Sequence, residues 1–596
     1  MSSYSLVLAF VLSCLIAPGL ALAELAPIQI DGYFDDWAAV TPAHDDSNDD
    51  AGPVDFGRIW VANDQDHLYI RFETGGEVQP DEQQNMRLYL DTDMNSGTGT
   101  YFNGIGAELM WEFGWREGTF KDGGTYTVEH DDIGLQMGPT VSNTVFEVAL
   151  RRDAIPAGGQ SLFNGDDIRF ILRDTDSWDV APNSGSIAYT FTPGTIVTPS
   201  LALTRDDPAH IRVATWNLKG DGLFDGGSAE LAQGRMLEAM DPDVLLVNEV
   251  WDHSANDVRN KIEQHLPSGA GETWYAVMRD AGNVIVSRYP ILQSWVVNPG
   301  YRITAALLDL GAASTKDLLL VANHWRCCSA DEDRQKEADS VIGFLRDAKT
   351  AGGVITLPEG TPFVLAGDLN LVGWRQQLDT ILTGDIQNEG TYGPDAAPDW
   401  DGADFADPVS RQPDARASYT WRNDFSSYYP GMLDWILFTD SALDVHNHYI
   451  LETRTMTPAT LAANGLLQFD TPYASDHAPR VADFTVFNPL SPVPERPTVG
   501  AARLLPNVPN PFNPSTELRF ELDRPGIVEL HIYDARGFLV RGLILGVGYV
   551  AGPHGVTWDG TDRAGRQVAS GVYQVRMVTR VGAETVVRTR AITLVE

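Results

Sequence analysis

Six apolar runs in the middle of the chain each end on, open with or follow a side chain of catalytic type. Ile211 to Trp216 ends in Asn217, Val244 to Asn248 in Glu249, and Leu318 to Asn323 in His324. Phe363 to Gly367 ends in Asp368, with Asn370 shortly after. Asp434 opens Trp435 to Phe438, and Ser475-Asp476-His477 precedes Val481 to Phe484. Carboxylates bind hard cations, and imidazoles exchange protons near neutrality. Singly, each of these residues reads as turn or cap chemistry. As an ordered set at the mouths of buried strands, they converge on one cleft.

The elements that must position them follow from the same runs. A near-continuous apolar strand belongs in a sheet covered on both faces. Helical segments lie between the runs, at Leu231 to Met240 and Glu332 to Ala348. Two linkers isolate this α/β region. Phe191 to Pro208 lacks periodicity, and Asn488 to Val499 carries Pro489, Pro492, Pro494 and Pro497, a stiff spacer. The expected division is 1–23, 24–200, 208–488, a Pro-rich linker at 489–502, and 503–596. Residues 27–190 read as all-β, with strands at Arg58 to Ala62, Leu68 to Phe72, Met86 to Leu90, Val145 to Leu150 and Ile168 to Leu172. Residues 503–596 read the same way, with Leu518 to Leu522, Ile527 to Tyr533, Gly555 to Trp558, Gly571 to Val578 and Thr585 to Ile592 as strands and Asp534 to Gly537 as a turn. Each flank is expected to have its own core and a flexible connection to the centre.

Leu6 to Ile16 is apolar, and Ala21-Leu22-Ala23 fits a small-x-small cleavage site, so residues 1–23 read as a secretory signal peptide. No later run is apolar over the roughly 20 residues a membrane span needs. The expected location is secreted or cell surface, with no transmembrane segment after signal removal. Cys14 leaves with the leader, and Cys327 and Cys328 remain as either a vicinal disulfide or two loop thiols. They exclude a disulfide framework and a cysteine-based zinc site. The formal net charge of -40 means that the overall field does not steer the chain to polyanions. A nucleic-acid substrate must therefore be met by local groups and metal. In the first flank Asp91, Asp93 and Asn95 alternate ahead of Gly97, an oxygen-ligand spacing suited to Ca²⁺, although Ser96 stands where an EF-hand loop has Gly.

Residues 211–484 resemble the endonuclease/exonuclease/phosphatase superfamily, the deoxyribonuclease I-like fold. The matching motifs are Ala214-Thr215-Trp216-Asn217, Val247-Asn248-Glu249, Asn283 to Pro290, Asn323-His324, Gly367-Asp368-Leu369-Asn370, Leu433-Asp434-Trp435-Ile436 and Ser475-Asp476-His477. The resemblance implies a multidomain chain whose central four-layer α/β sandwich is flanked by two all-β sandwich domains. It implies Mg²⁺ or Mn²⁺ on Glu249, with Asn217 and Asp476 completing or supporting the site. Asp368 would orient or deprotonate water, and Asn370 would hold the phosphate or the water. His477, fixed by Asp434, would act on the phosphate or as general base, and His324 on a non-bridging oxygen or the leaving group. Arg288, with Arg302 and Arg326, would supply positive charge for substrate. Lys219 departs from the family, which often carries an acidic residue there, as does Met432, where an Arg is common.

The flanks carry resemblances of their own. Ile30-Asp31-Gly32 with Asp36-Trp37, His67 to Ile70, and the Asp91 to Gly97 stretch with Gly104 to Ala107 resemble family 9-like carbohydrate-binding sandwiches, implying a glycan or other surface ligand. Asn507 to Thr516, Trp558-Asp559-Gly560 and Ser570 to Tyr573 resemble the Ig-like module of flagellar hook-capping proteins and type IX secretion sorting domains, implying a secretion-machinery partner, though the usual basic end is missing. The leading functional reading is an extracellular nuclease. Tyr428-Tyr429, Trp421 and Arg422 offer it aromatic and basic contacts, or pack as ordinary loop residues. The alternatives are a lipid or small-molecule phosphoesterase (sphingomyelinase-like) and a non-catalytic surface binding protein.

Overall fold

Alternation along the central strands sorts their side chains into three apolar layers. Ile211 and Val213, Val244 and Leu246, Leu318 and Leu320, and Val364 and Ala366 point into one core between two sheets. Their neighbours Ala214, Trp216, Leu245 and Val247 point the other way and pack on Met236, Leu237, Val258 and Ile262. Leu319, Val321, Phe363 and Leu365 likewise pack on Val341, Ile342, Leu345 and Ile381. The period of two required by a pleated strand thus places helices Gly227–Met240 and Ala255–His265 outside one sheet, and Asp331–Lys349 and Arg375–Thr383 outside the other.

The computed structural model describes residues 24–46, 52, 54–80, 85–353, 355–487, 502–522, 524–533, 539–561, 566–581 and 584–595. The expected leader at 1–23, nearly all of the Pro-rich linker and the turn at Asp534 to Gly537 lie outside these residues. One sheet has six strands in the order Tyr275–Val277, Gly282–Ser287, Val244–Val250, Ile211–Asn217, Arg480–Val486 and Leu443–Ile450. The other has five, in the order Ile291–Val296, Ile303–Leu308, Leu318–His324, Phe363–Asp368 and Asp434–Phe438. No helix of the described residues is long and apolar enough to cross a membrane.

The chain divides into two units, 1–488 and 489–596. In the second, Thr516–Leu522 lies between Ala502–Val508 and Gly552–Trp558, and four further strands form another sheet. Their core gathers Phe512, Phe520, Trp558 and Met577.

The first unit holds the N-terminal β-region together with the central domain, which corrects the expectation of a flexibly tethered first flank. Its strands Arg58–Asn63, His67–Val78, Asn143–Arg151, Met86–Asp91 and Asp167–Asp174 enclose a core of Ile59, Ile70, Phe72, Leu88, Phe146 and Phe170. Tyr429 of the central domain is buried in that same core. Its hydroxyl donates to the Phe113 carbonyl at 3.0 Å and accepts from the Trp111 indole at 3.1 Å. In return Val141 enters the central domain's core. The Thr140 hydroxyl donates to the Leu371 carbonyl at 2.6 Å, and the Ser142 N–H to the Gly373 carbonyl at 2.8 Å. Arg416 is paired with Asp64, itself buried. Interlocked apolar side chains and satisfied buried polar groups make this a core interface rather than a tether.

Tyr429→Phe removes the acceptor of a buried indole N–H. We expect unit-wide destabilisation of about 1–3 kcal/mol, the cost of stranding such a donor. A urea midpoint indistinguishable from wild type would show that the interface does not contribute to folding.

Candidate active site

Strand direction explains why residues far apart in sequence meet. Ile211–Asn217 runs parallel to Val244–Val250, with Asn217 opposite Asn248. Leu318–His324 runs parallel to Phe363–Asp368, with His324 opposite Asp368. Both pairs therefore finish at the same edge. Asp434–Phe438 and Arg480–Val486 run antiparallel to these strands, so their beginnings lie at that edge. Asp434 stands opposite Asp368, and Arg480, shortly after His477, opposite Thr215.

The sheets are tied together at this edge by side-chain amides. Asn217 Nδ2 donates to Glu249 Oε1 at 3.0 Å and to Asp368 Oδ2 at 2.9 Å. Its oxygen accepts from the Lys219 N–H at 2.9 Å. With both ends engaged, Asn217 positions the carboxylates, the supporting role expected of it at the metal site. A second amide lies beneath: Asn248 Oδ1 accepts from the Asp368 N–H at 3.1 Å, and its Nδ2 donates to the Asn323 carbonyl at 2.9 Å. Glu249 sits in a β-bulge, with φ at +63°, a left-handed value unusual for a side-chain-bearing residue. Bulges re-aim side chains, and here Glu249 lines the cleft. Its second oxygen accepts from the Gly220 N–H at 2.6 Å.

Two histidines complete the floor in opposite electrostatic settings. His477 Nδ1 lies 2.8 Å from Asp434 Oδ2, and its Nε2 lies 3.9 Å from Asp368 Oδ2. Burial opposes charge on His477, but Asp434, then Asp368 and Asp476, outweigh it and raise its pKa to about 10. His324 is also buried. Burial first, and then Arg302, His477 and Arg326, hold its pKa well below 6.5. At neutral pH one imidazole is a cation and the other is neutral. Burial pushes the Asp368 carboxyl upward, reinforced by Asp434 and opposed by His477. Asn370, at φ +47°, donates its N–H to Asp368 Oδ1 at 3.0 Å and its amide to the Trp325 carbonyl at 3.1 Å.

Glu249, His324 and Asp368 each offer one ligand atom, and these atoms lie within 4.8 Å of one another. Two carboxylates and a neutral imidazole form a donor set that accepts a divalent cation. Asp476 is outside this group, with its carboxylate 2.9 Å from Lys219 Nζ. The departure at Lys219 thus has a consequence, because the lysine neutralises the acid expected to support the metal.

Arg288 stands away from the cleft. It follows Gly282–Ser287, which pairs antiparallel so that Ser287 faces Val244 while Gly282 faces Val250. Arg288 therefore lies about six residues, or roughly 20 Å, from the Glu249 edge. It is held there by Asp241 at 2.9 Å and stacks over the Trp274 ring at 4.5 Å. Arg302 is the arginine that lines the cleft. Trp251, 42% exposed beside His324, is a cleft residue that sequence reasoning missed. An apolar side chain after a catalytic glutamate carries no signal of its own. The aromatic group expected near substrate divides: Trp421 and Tyr428 line the cleft, Tyr429 reaches it from the sandwich core, and Arg422 pairs with Asp131 and Asp424. Cys327 and Cys328 are exposed at the rim and not joined as a disulfide, with their Sγ atoms 2.6 Å apart.

In the first flank Asp91 and Asp93 meet Glu108, which sequence reasoning missed, again within 4.8 Å. The Asn95 side chain accepts from the Gly97 N–H at 3.0 Å in the adjoining turn. Glu108 lies on the far side of a hairpin, beyond any local spacing rule.

Residues 214–477 match the profile of the Endonuclease/Exonuclease/phosphatase family, a span running from just before Asn217 to His477 itself. Residues 510–582 match the FlgD Ig-like domain. No curated protein matches the chain. Similar solved structures include an endonuclease/exonuclease/phosphatase from Beutenbergia cavernae DSM 12333, at 18% identity over 65% of this chain and 100% of that one, TM-score 0.32. A humanized D. rerio TDP2 is 16% identical over 46% of this chain and 99% of that one, TM-score 0.29. ANGEL2, a 2',3'-cyclic phosphatase in complex with adenosine-2',3'-vanadate, is 16% identical over 46% of this chain and 96% of that one, TM-score 0.31.

The Asp434–His477 pair fixes the sign of a pH effect. A histidine raised to about 10 contributes stability that is complete below its ordinary 6.5 and is lost as pH climbs through about 10. Asp434→Asn should lower the His477 pKa by about 1–3 units, the effect of one opposing charge at contact. Ring NMR against pH would follow it, and an unmoved titration would refute the pairing.

Proposed function

We propose that the central domain is a divalent-metal-dependent phosphodiester hydrolase acting on nucleic acid outside the cell. The observation that carries this reading is the meeting of Glu249, His324 and Asp368 beside the Asp434–His477 pair at one sheet edge. The match over 214–477 supports it, since that span contains the whole constellation. We take the fold as the deoxyribonuclease I-like four-layer sandwich implied by the sequence.

The residues divide the work by charge. Mg²⁺ or Mn²⁺, when bound, would neutralise phosphate oxygens and stabilise the leaving oxygen. Glu249, His324 and Asp368 would hold it. His477, kept cationic by Asp434, donates a hydrogen bond to a non-bridging oxygen or a proton to the leaving group. Asp368, one of these ligands and 3.9 Å from His477 Nε2, would orient or deprotonate the attacking water. Asn370 steadies Asp368 through its N–H. Arg302 and Lys219 add local positive charge to a chain of net charge -40.

The other readings concern the flanks. The apolar Leu6 to Ile16 run with Ala21-Leu22-Ala23 supports export. The strand pattern of the first flank supports a glycan-binding origin, with Ca²⁺ at Asp91, Asp93 and Glu108. The match at 510–582 supports an Ig-like module that engages secretion or surface machinery.

The purified protein should hydrolyse bis(p-nitrophenyl) phosphate and DNA with Mg²⁺ or Mn²⁺ and stop with chelator. Asp368→Ala or His477→Ala should each slow it at least about 10²-fold, the scale of one acid–base group. Chelator-resistant turnover, or near-normal rates in both variants, would remove this mechanism.

A further inference from the structure

The wall of the catalytic cleft facing its charged floor belongs partly to the other β-region. We infer that the N-terminal sandwich is a specificity element: Met137, Pro139 and Thr140, with Trp421 and Tyr428, form a subsite that takes an unpaired base beside the scissile phosphate of a single-stranded nucleic acid. This rests on the nuclease reading above and narrows it.

The cavity has a volume of about 510 Å³ and is lined both by Glu249, Asp368, His324 and His477 and by the sandwich residues Met137, Pro139 and Thr140. Met137 belongs to Gln136–Gly138, the edge strand of its sheet. The segment that carries the aromatics is fixed by the sandwich at three points. Tyr429 is sunk in the sandwich core. His130 Nε2 lies 2.9 Å from the Ser426 carbonyl. The Arg116 guanidinium stacks 4.0 Å over the Tyr428 ring, so a sandwich residue positions an aromatic of the cleft. Gly431 shows how close the two bodies come: a Cβ there would lie 2.8 Å from Thr140 Cγ2.

The chemistry of this wall selects a type of substrate. Aromatic faces stack on bases without regard to sequence, at about 1–3 kcal/mol per base in alanine substitutions. A base in a duplex keeps its faces inside the stack and must be extruded to be held this way. A pocket of this size accommodates one small-molecule-sized group. Tyr428, 40% exposed, has a ring face available, while the ionic floor takes the phosphate. A free single strand or strand end satisfies both, with a base on the aromatic wall and phosphate on the floor.

The test compares a ten-nucleotide single-stranded DNA, its blunt duplex, bis(p-nitrophenyl) phosphate and sphingomyelin vesicles on the full chain with Mn²⁺. Wild type should turn over the single strand at least about 10-fold faster than the duplex. Tyr428→Ala should lower that ratio about 5-fold or more, the lower end of a lost base stack. Arg116→Gln should lower it too, although Arg116 itself is not a contact in this proposal. Gly431→Ala should lower it by forcing the wall apart. Adding Thr140→Ser, which removes Cγ2 and keeps the hydroxyl, should restore it, a rescue that general unfolding would not give. Equal rates on single strand and duplex, or a preference untouched in all these variants, would overturn the inference while the nuclease reading stands. Turnover of bis(p-nitrophenyl) phosphate with no action on either DNA, or faster turnover of sphingomyelin, would overturn the nuclease reading and the inference with it. Inertness toward all four substrates would remove the phosphoesterase reading itself.

Discussion

Glu249 and Asp368 hang from one amide, and the site is organised by that constraint. Asn217 Nδ2 donates to both, reaching from one sheet to the other. Two carboxylates that close cannot both remain charged without compensation, and Asp368 is buried besides. A neutral donor orients them but cannot cancel their charge. A cation between them would supply that compensation together with His477, the role proposed for the metal. The amides beneath serve the same end. Asn248 fixes the Asp368 backbone and reaches the Asn323 carbonyl, so each strand end is held by side chains from its neighbours.

The two histidines show how position alone sets chemistry. His477 touches Asp434 at 2.8 Å, and its charge is favoured. His324 has no carboxylate nearer than 3.8 Å and has Arg302 beside it, so its charge is disfavoured. Pairs of titratable groups driven apart by their surroundings identify donor and acceptor. The neutral imidazole keeps a lone pair for a cation, and the charged one keeps a proton for phosphate. Exchanging their environments would leave the residue types intact and remove the division of labour.

The catalytic set was legible because a strand buried on both faces leaves few places for a polar residue except its ends. Asn217, Glu249, His324 and Asp368 stand out for that reason, and Asp434 and His477 stand out at strand beginnings. What sequence alone did not reveal depends on pairing partners. Arg288 adjoins an apolar strand like the others, but its strand runs the opposite way and carries it to the far edge. Glu108 joins Asp91 and Asp93 only through strand pairing, beyond any local spacing rule. The interface between the two bodies of the first unit was invisible for a simpler reason. Val141 is an ordinary apolar residue in sequence and Tyr429 reads as a loop aromatic, and nothing local says that each belongs to the other body's core.

Docking the sandwich against the cleft also bears on how so acidic a chain handles a polyanion. Proteins that hold nucleic acid through many Lys and Arg contacts to phosphate bind strongly in proportion to those contacts and lose affinity steeply with salt. Among the described residues the cleft offers Lys219, Arg302 and His477 as cations, and Lys219 and His477 are already matched to Asp476 and Asp434. On the proposed nuclease reading, attraction would therefore come from contacts within the cleft: stacking on Trp421 and Tyr428, exclusion of water by Met137 and Pro139, and the metal that Glu249 would hold. These act only once the substrate is in place, so they contribute little to capturing it from a distance. For a hydrolase that is an advantage, because a weakly held product leaves. On the proposed reading, the acidic surface would disfavour retention of bulk polyanion, while the cleft would take one nucleotide at a time.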